Sequence, residues 1–178
     1  KEILKFKSNI KYIFCEKPMS YSYISAKKID NLCRKKKVRL FINNRRLDYG
    51  IQKLKKIASE KKLGKLNYIE GRCSSGLYAL GIHLIDTISY ISDHKYNFLF
   101  HSHDMFKKKS LKFSSNYIFD DPKVMAVSYH KDTYCTIINS VRSKFSYFEI
   151  YLRFSNGKIY YDQSKDFIEY EFLSKKEK

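Results

Sequence analysis

The spacing of apolar and polar positions changes character once along the 178 residues. Before about residue 95 apolar side chains fall into short runs and helical stripes, and from Tyr96 onward they alternate. The first run, Tyr12-Ile13-Phe14-Cys15-Glu16, has the length and composition of a buried parallel strand. Pro18 ends it, because proline offers no N–H to a ladder. A helix follows, capped by Ser20 or Ser22, with Ile24, Ile29, Leu32 and Cys33 on one face. Arg34 to Lys37 closes it, placing cations at the favourable end of the helix dipole. Val38 to Ile42 is the next strand, so strand, helix and strand over about 30 residues form a βαβ unit. Residues 1–10 read as the end of an earlier helix.

Two more helices precede the change of period. One spans Tyr49 to Lys62, turns Ile51, Leu54, Ile57 and Ala58 inward, and stops at Gly64. The other runs from Ser74 to Ile91 with Leu80, Leu84, Ile88 and Ile91 as its apolar stripe, after a strand around Tyr68-Ile69-Glu70-Gly71. Period two then predicts strands at Tyr96 to His101, Val124 to Tyr129, Tyr134 to Val141, Tyr147 to Phe154, Lys158 to Tyr161 and Phe167 to Phe172. Asp120-Asp121-Pro122, His130-Lys131-Asp132 and Asn156-Gly157 supply turns between them. The stretch Lys107 to Ser115 is expected to be a mobile loop. The fold class expected is therefore α/β followed by α+β. A βαβ domain over residues 1–45 leads into a domain over 46–178, built on a large, mainly antiparallel sheet flanked by helices.

Charge and cysteine content narrow the function classes. The net charge of +18 raises nucleic acid as a partner. The excess is lysine in scattered runs, Arg34-Lys35-Lys36-Lys37 and Lys107-Lys108-Lys109 among them, rather than one periodic face; it reads as solvated charge, and nucleic acid is not expected. Cys15, Cys33, Cys73 and Cys135 form no C-x-x-C pair, which points away from zinc and disulfides and toward a reducing cytoplasm. His101-Ser102-His103 has no third ligand nearby in sequence, so no metal is expected. No apolar run approaches the ~20 residues of a membrane span, and no signal segment is apparent.

The chemistry gathers at three places. Lys17, in Glu16-Lys17-Pro18, is held at the carboxyl end of a strand, where open α/β sheets bind ligands, and its ammonium can meet a substrate oxygen. Arg45 and Arg46 follow the next strand in Asn43-Asn44-Arg45-Arg46-Leu47-Asp48 and suit a carboxylate, phosphate or polyol. His83 lies in Gly81-Ile82-His83-Leu84-Ile85-Asp86, and an imidazole suits proton exchange near neutral pH.

Glu16-Lys17-Pro18, the Asn-Arg-Arg-x-Asp segment and the Gly-x-His-x-x-Asp helix follow the same order as in the glucose-fructose oxidoreductase / inositol dehydrogenase (Gfo/Idh/MocA) family of NAD(P)-dependent oxidoreductases, which the chain resembles. The resemblance implies a Rossmann-like first domain, NAD or NADP as cofactor near Glu16, Lys17 and Pro18, and a sugar- or cyclitol-like substrate. It implies Lys17 and His83 as catalytic residues, Arg45, Arg46 and Asp86 as substrate-binding residues, and a homo-oligomer formed through the C-terminal sheet.

Two features depart from the family pattern. Ala79 stands where a carboxylate usually precedes the histidine by one helical turn, and Asp86, three residues after His83, is the candidate replacement. None of the six glycines forms G-x-G-x-x-G, the motif that brings backbone amides to a dinucleotide pyrophosphate. The chain therefore reads as the latter part of such an enzyme, with weak or no cofactor binding expected on its own. Two alternatives are an inactive remnant serving as a binding or oligomerisation module, and a basic nucleic-acid-binding protein.

Overall fold

The structure, a computed structural model, describes residues 9–20, 22–104, 111–113, 117–119, 123–139 and 145–173. It divides into two compact units, residues 1–44 and 45–178.

The first unit is a βαβ turn. Strand β1 (Tyr12–Cys15) pairs in parallel with β2 (Arg39–Ile42), Tyr12 opposite Arg39 and Cys15 opposite Ile42. Helix α1 (Tyr23–Lys35) joins them. Of the two candidate caps it uses Ser22, whose hydroxyl accepts from the Ser25 N–H at 3.2 Å. Arg34 and Lys35 occupy its last turn, where the dipole favours cations.

Two expectations fail here. Strand β1 is not buried: its residues alternate between exposed and half-exposed, and the Phe14 side chain is 79% exposed. Ile24 faces solvent too, whereas Cys33 is buried. Among the described residues β1 has β2 as its only neighbour. A strand of four residues spans about 13 Å against about 20 Å for a helix of 13, so two such strands are too short to cover the whole helix, and Tyr23 and Ile24 in its first turn are exposed. Of the helix end expected over residues 1–10, residues 1–8 lie outside the described residues, and residues 9 and 10 are not helical.

The second unit is a seven-stranded sheet with helices on one face. In sequence order its strands are β3 (Leu66–Cys73), β4 (Phe98–Asp104), β7 (Lys123–His130), β8 (Thr133–Asn139), β9 (Phe148–Phe154), β10 (Gly157–Asp162) and β11 (Phe167–Phe172). The spatial order is β11-β10-β9-β3-β8-β7-β4. All pairings are antiparallel except β3 with β8, which run parallel from Tyr68 opposite Tyr134 to Cys73 opposite Asn139. The short strands β5 (Leu111–Phe113) and β6 (Tyr117–Phe119) pair antiparallel in a separate sheet; β5 falls within the stretch expected to be a loop, Lys107 to Ser115, and β6 just after it. The rest of that loop, and the Asp120-Asp121-Pro122 turn, lie outside the described residues.

Alternation places the core on one face. From β3 and β9 the buried set is Ile69, Cys73, Phe148, Ile150, Leu152 and Phe154, with Glu70, Glu149, Tyr151 and Arg153 between them on the opposite side. Onto the apolar face pack α2 (Tyr49–Ala58), through Ile51, Leu54 and Ile57, and α3 (Ile82–Ser92), through Leu84, Ile88 and Ile91. Helix α2 is shorter than expected: it stops at Ser59 and is followed by a 3₁₀ turn, Lys61–Leu63, before Gly64 turns the chain at φ +80°. Gly71 lets α3 approach, since a Cβ there would lie 2.7 Å from Ile88 Cδ1. Cys73 and Cys135 are buried, and burial pushes the Cys135 thiol up to about 12, so it stays protonated.

At the β7 side of the sheet, His94 is 3% exposed and its Nε2 meets Ser128 Oγ at 2.8 Å. Its ring stands edge-on to Tyr96 and His130, with centroids 5.1 and 5.5 Å away. Burial, and then the His130 charge, lower the His94 pKa below its ordinary 6.5. The unfolded chain therefore takes up a proton below about pH 6.5 that the folded chain resists, and stability present above that pH is lost as the pH falls. Urea unfolding should give a lower midpoint at about pH 5.5 than at about pH 7.5, with a smaller difference in His94→Asn. An unchanged difference in the variant would place the effect elsewhere.

Candidate active site

The site residues expected from sequence fall into both units. In residues 1–44, β1 delivers Glu16, Lys17 and Pro18 at its carboxyl end, with a cis Lys17–Pro18 peptide bond. The ends of the two parallel strands are tied together there. The Asn43 N–H donates to the Cys15 carbonyl at 2.9 Å, and Asn43 Nδ2 donates to Glu16 Oε1 at 2.5 Å. Next along, Asn44 Oδ1 is buried with no hydrogen-bond partner among the described residues, an acceptor left over at the strand ends. A carboxylate, a carbonyl acceptor and an ammonium at the carboxyl ends of parallel strands fit the amide-bearing end of a nicotinamide. These residues supply nothing for its pyrophosphate.

In residues 45–178 the structure brings Arg46 and Asp86 together. Arg46 lies in a 3₁₀ turn, Arg45–Leu47, directly ahead of α2, and Asp86 on α3. The guanidinium forks onto the carboxylate, Nε to Oδ2 at 2.8 Å and Nη2 to Oδ1 at 2.5 Å. The hydrogen bond to Asp86 raises the Arg46 pKa, against the opposing pull of burial. The Arg46 guanidinium also lies 5.4 Å from the Tyr90 ring centroid, and Lys55 Nζ sits 3.9 Å from the same ring while donating to the Tyr90 carbonyl at 2.8 Å. Gln52 Nε2 donates to Tyr90 Oη at 2.9 Å and to the Arg46 carbonyl. Arg46 is thus held from three sides, and a fixed cation recognises a polyol or anion with less loss of side-chain entropy than a free one.

Arg45 is engaged differently. Its Nη1 donates to Gln163 Oε1, and its guanidinium lies 5.6 Å from the Phe148 ring centroid. Gln163 Nε2 in turn donates to Asp48 Oδ2 at 3.1 Å, while Asp48 Oδ1 caps α2 through the Gly50 N–H at 3.0 Å. Arg45 therefore ties the start of α2 to the turn after β10.

His83 sits in the first turn of α3, 7% exposed. The helix expected from Ser74 is interrupted: Leu77–Gly81 forms a π turn, with the Gly81 N–H bonded to the Gly76 carbonyl at 3.0 Å, and the α-helix proper begins at Ile82. A π turn widens the spacing immediately before the imidazole, so an orienting position counted one α-helical turn back, at Ala79, assumes a regularity the backbone lacks. Thr87, one turn after His83, has a buried hydroxyl with no partner among the described residues. Sequence reading missed it, although its i+4 spacing from His83 was visible. Tyr90, four residues after Asp86, carried the same signal. Gln163 carried none, being 118 residues from the arginine it contacts. Among the described residues no three potential metal ligands lie together.

No family model matches the chain, and no curated protein matches it. Solved structures do. An oxidoreductase from Sinorhizobium meliloti is 12% identical with a TM-score of 0.73, over 92% of this chain and 49% of that one. The WlbA dehydrogenase from Bordetella pertussis, solved with NADH and UDP-GlcNAcA, is 13% identical with a TM-score of 0.72, over 92% and 55%. An oxidoreductase domain protein from Kribbella flavida is 12% identical with a TM-score of 0.74, over 91% and 52%. The chain spans about half the length of these solved structures. Its fold is the one found in that half of NAD-binding oxidoreductases and dehydrogenases.

Proposed function

We propose that the chain is part of an NAD(P)-dependent oxidoreductase of the Gfo/Idh/MocA family, acting on a sugar- or cyclitol-like alcohol or its ketone. The observation that carries this is the fold likeness over nine-tenths of the chain, in which Glu16-Lys17-Pro18 follows a parallel strand and His83 lies in the first turn of the helix that also carries Asp86, the partner of Arg46.

In this reading Glu16, Lys17 and Pro18 border the nicotinamide, which when bound supplies the hydride acceptor or donor. Lys17 holds the reacting oxygen with its ammonium, lowering the cost of charge that develops there. His83 takes the hydroxyl proton during oxidation and returns it during reduction. Arg46, fixed on Asp86 and Tyr90, presents its remaining N–H to substrate oxygens, and Arg45 acts mainly by holding the start of α2. Asp86 is engaged by Arg46, so its part is to position that arginine.

The sheet face opposite the helices carries Tyr68, Tyr134, Tyr151 and Tyr160 with paired charges between them. This supports a homo-oligomer through that face, and a monomer in sedimentation velocity would remove it. The main test is nicotinamide absorbance during incubation of the complete enzyme with a panel of polyols, cyclitols and sugar acids. Turnover on at least one is expected; none on any would overturn the reading and favour a binding module.

A further inference from the structure

Three lysines of one short stretch, Lys53 and Lys56 on α2 and Lys62 in the turn after it, lie beside the rings of Tyr49 and of Tyr170 and Phe172 on β11. Lys53 and Lys56, three residues apart on the exposed side of α2, line a groove of about 740 Å³ together with Tyr49, Gln52, Glu60 and Tyr170. Lys62 reaches the same region, its ammonium 4.2 Å from the Phe172 ring centroid and 5.6 Å from that of Tyr170. Tyr49 is 77% exposed and Tyr170 is 42% exposed, so both rings have surface to offer. The carboxylate in the lining, Glu60, is already engaged by Lys62 at 2.5 Å. Among the described residues neither Lys53 nor Lys56 forms an ion pair, so the groove keeps their positive charge.

Cations interleaved with exposed rings match a polymer that alternates phosphates with flat bases. An acidic peptide would answer the lysines and leave the rings without partners, and a duplex keeps its bases stacked inside. We propose that this groove binds single-stranded nucleic acid, with phosphates on Lys53 and Lys56 and bases stacked on Tyr49 and Tyr170. The net charge of +18 draws such a polyanion from a distance, and the groove gives it a place to settle. The proposal is independent of the hydride-transfer reading.

The test is fluorescence anisotropy of labelled oligo(U) and oligo(dT) of about 12 nucleotides, at about 50 and about 200 mM salt. Lys53→Glu with Lys56→Glu should weaken binding at least about tenfold and reduce the log-log salt slope by about 1.4, the value for two lost phosphate contacts on a single strand. Lys27→Glu with Lys28→Glu on α1 makes the same change in net charge and should weaken binding less than about threefold. Tyr49→Ala and Tyr170→Ala should each weaken it about fivefold or more, with the salt slope unchanged. Circular dichroism melting checks that each variant is folded. No binding by the parent chain at the lower salt, equal losses in both lysine pairs, or unchanged affinity in both tyrosine variants would overturn the proposal. The last two results would mean attraction by total charge alone.

Discussion

On the proposed hydride-transfer reading, Lys17→Ala and His83→Ala should each lower turnover by about a hundredfold to ten-thousandfold, the range for general acid-base and oxygen-binding groups. Lys17→Ala should act on turnover while leaving the thermal midpoint within a few degrees, since the residue lies just beyond a strand that is itself largely exposed. His83 is buried in the first turn of α3, so its loss also opens space in packed structure. His83→Gln keeps most of the volume and a hydrogen-bonding group while removing the imidazole that takes up and releases a proton, and separates the two effects. Turnover in His83→Gln should stay near the alanine level while stability recovers. If it returned to the parent level, His83 would be a packing residue and the proton would move through another group.

The second large effect concerns the sheet. Leu152 is fully buried at the centre of β9, opposite Ile69 on β3 and Ile159 on β10, under the two helices. Leu152→Ala should cost about 2–5 kcal/mol, because the lost burial adds to a cavity that neighbours on both sides keep from collapsing. Tyr151→Ala, one residue along and on the opposite face, should cost less. Urea unfolding followed by circular dichroism measures both. A Leu152→Ala cost below about 1 kcal/mol would mean that the buried face has been assigned to the wrong side of the sheet.

Local pattern carried much of this fold. The apolar stripe of Ile51, Leu54 and Ile57 is the buried face of α2, and Phe167–Phe172 forms a strand with the predicted ends. Both follow from side-chain periodicity, which a sequence displays directly. Order in space did not: the parallel pairing of β3 with β8 joins residues 66 positions apart, Tyr68 and Tyr134 for example, and no local signal specifies it. The pairing of β5 with β6 was missed because lysine and serine run through that stretch. The shortfall at β1 had a different cause, since five apolar-rich residues imply burial only when other strands and helices supply the cover.

The candidate site was legible to a similar depth. Arg46 and Asp86 were singled out separately, from what each resembles, and their mutual fork follows only once the turn ahead of α2 is set against α3. The supporting layer of Tyr90, Gln52 and Lys55 is a product of helix packing. The π turn ahead of His83 was hidden because Gly76 to Gly81 reads equally well as regular helix.

Titration of NADH fluorescence bears most directly on the central claim, that these residues border a nicotinamide whose phosphates are held by a different segment. The 178-residue chain should show little binding, and the same chain extended at its amino end by a G-x-G-x-x-G nucleotide-binding half should bind NADH or NADPH. Tight binding by the 178 residues alone, or none by the extended chain, would contradict it.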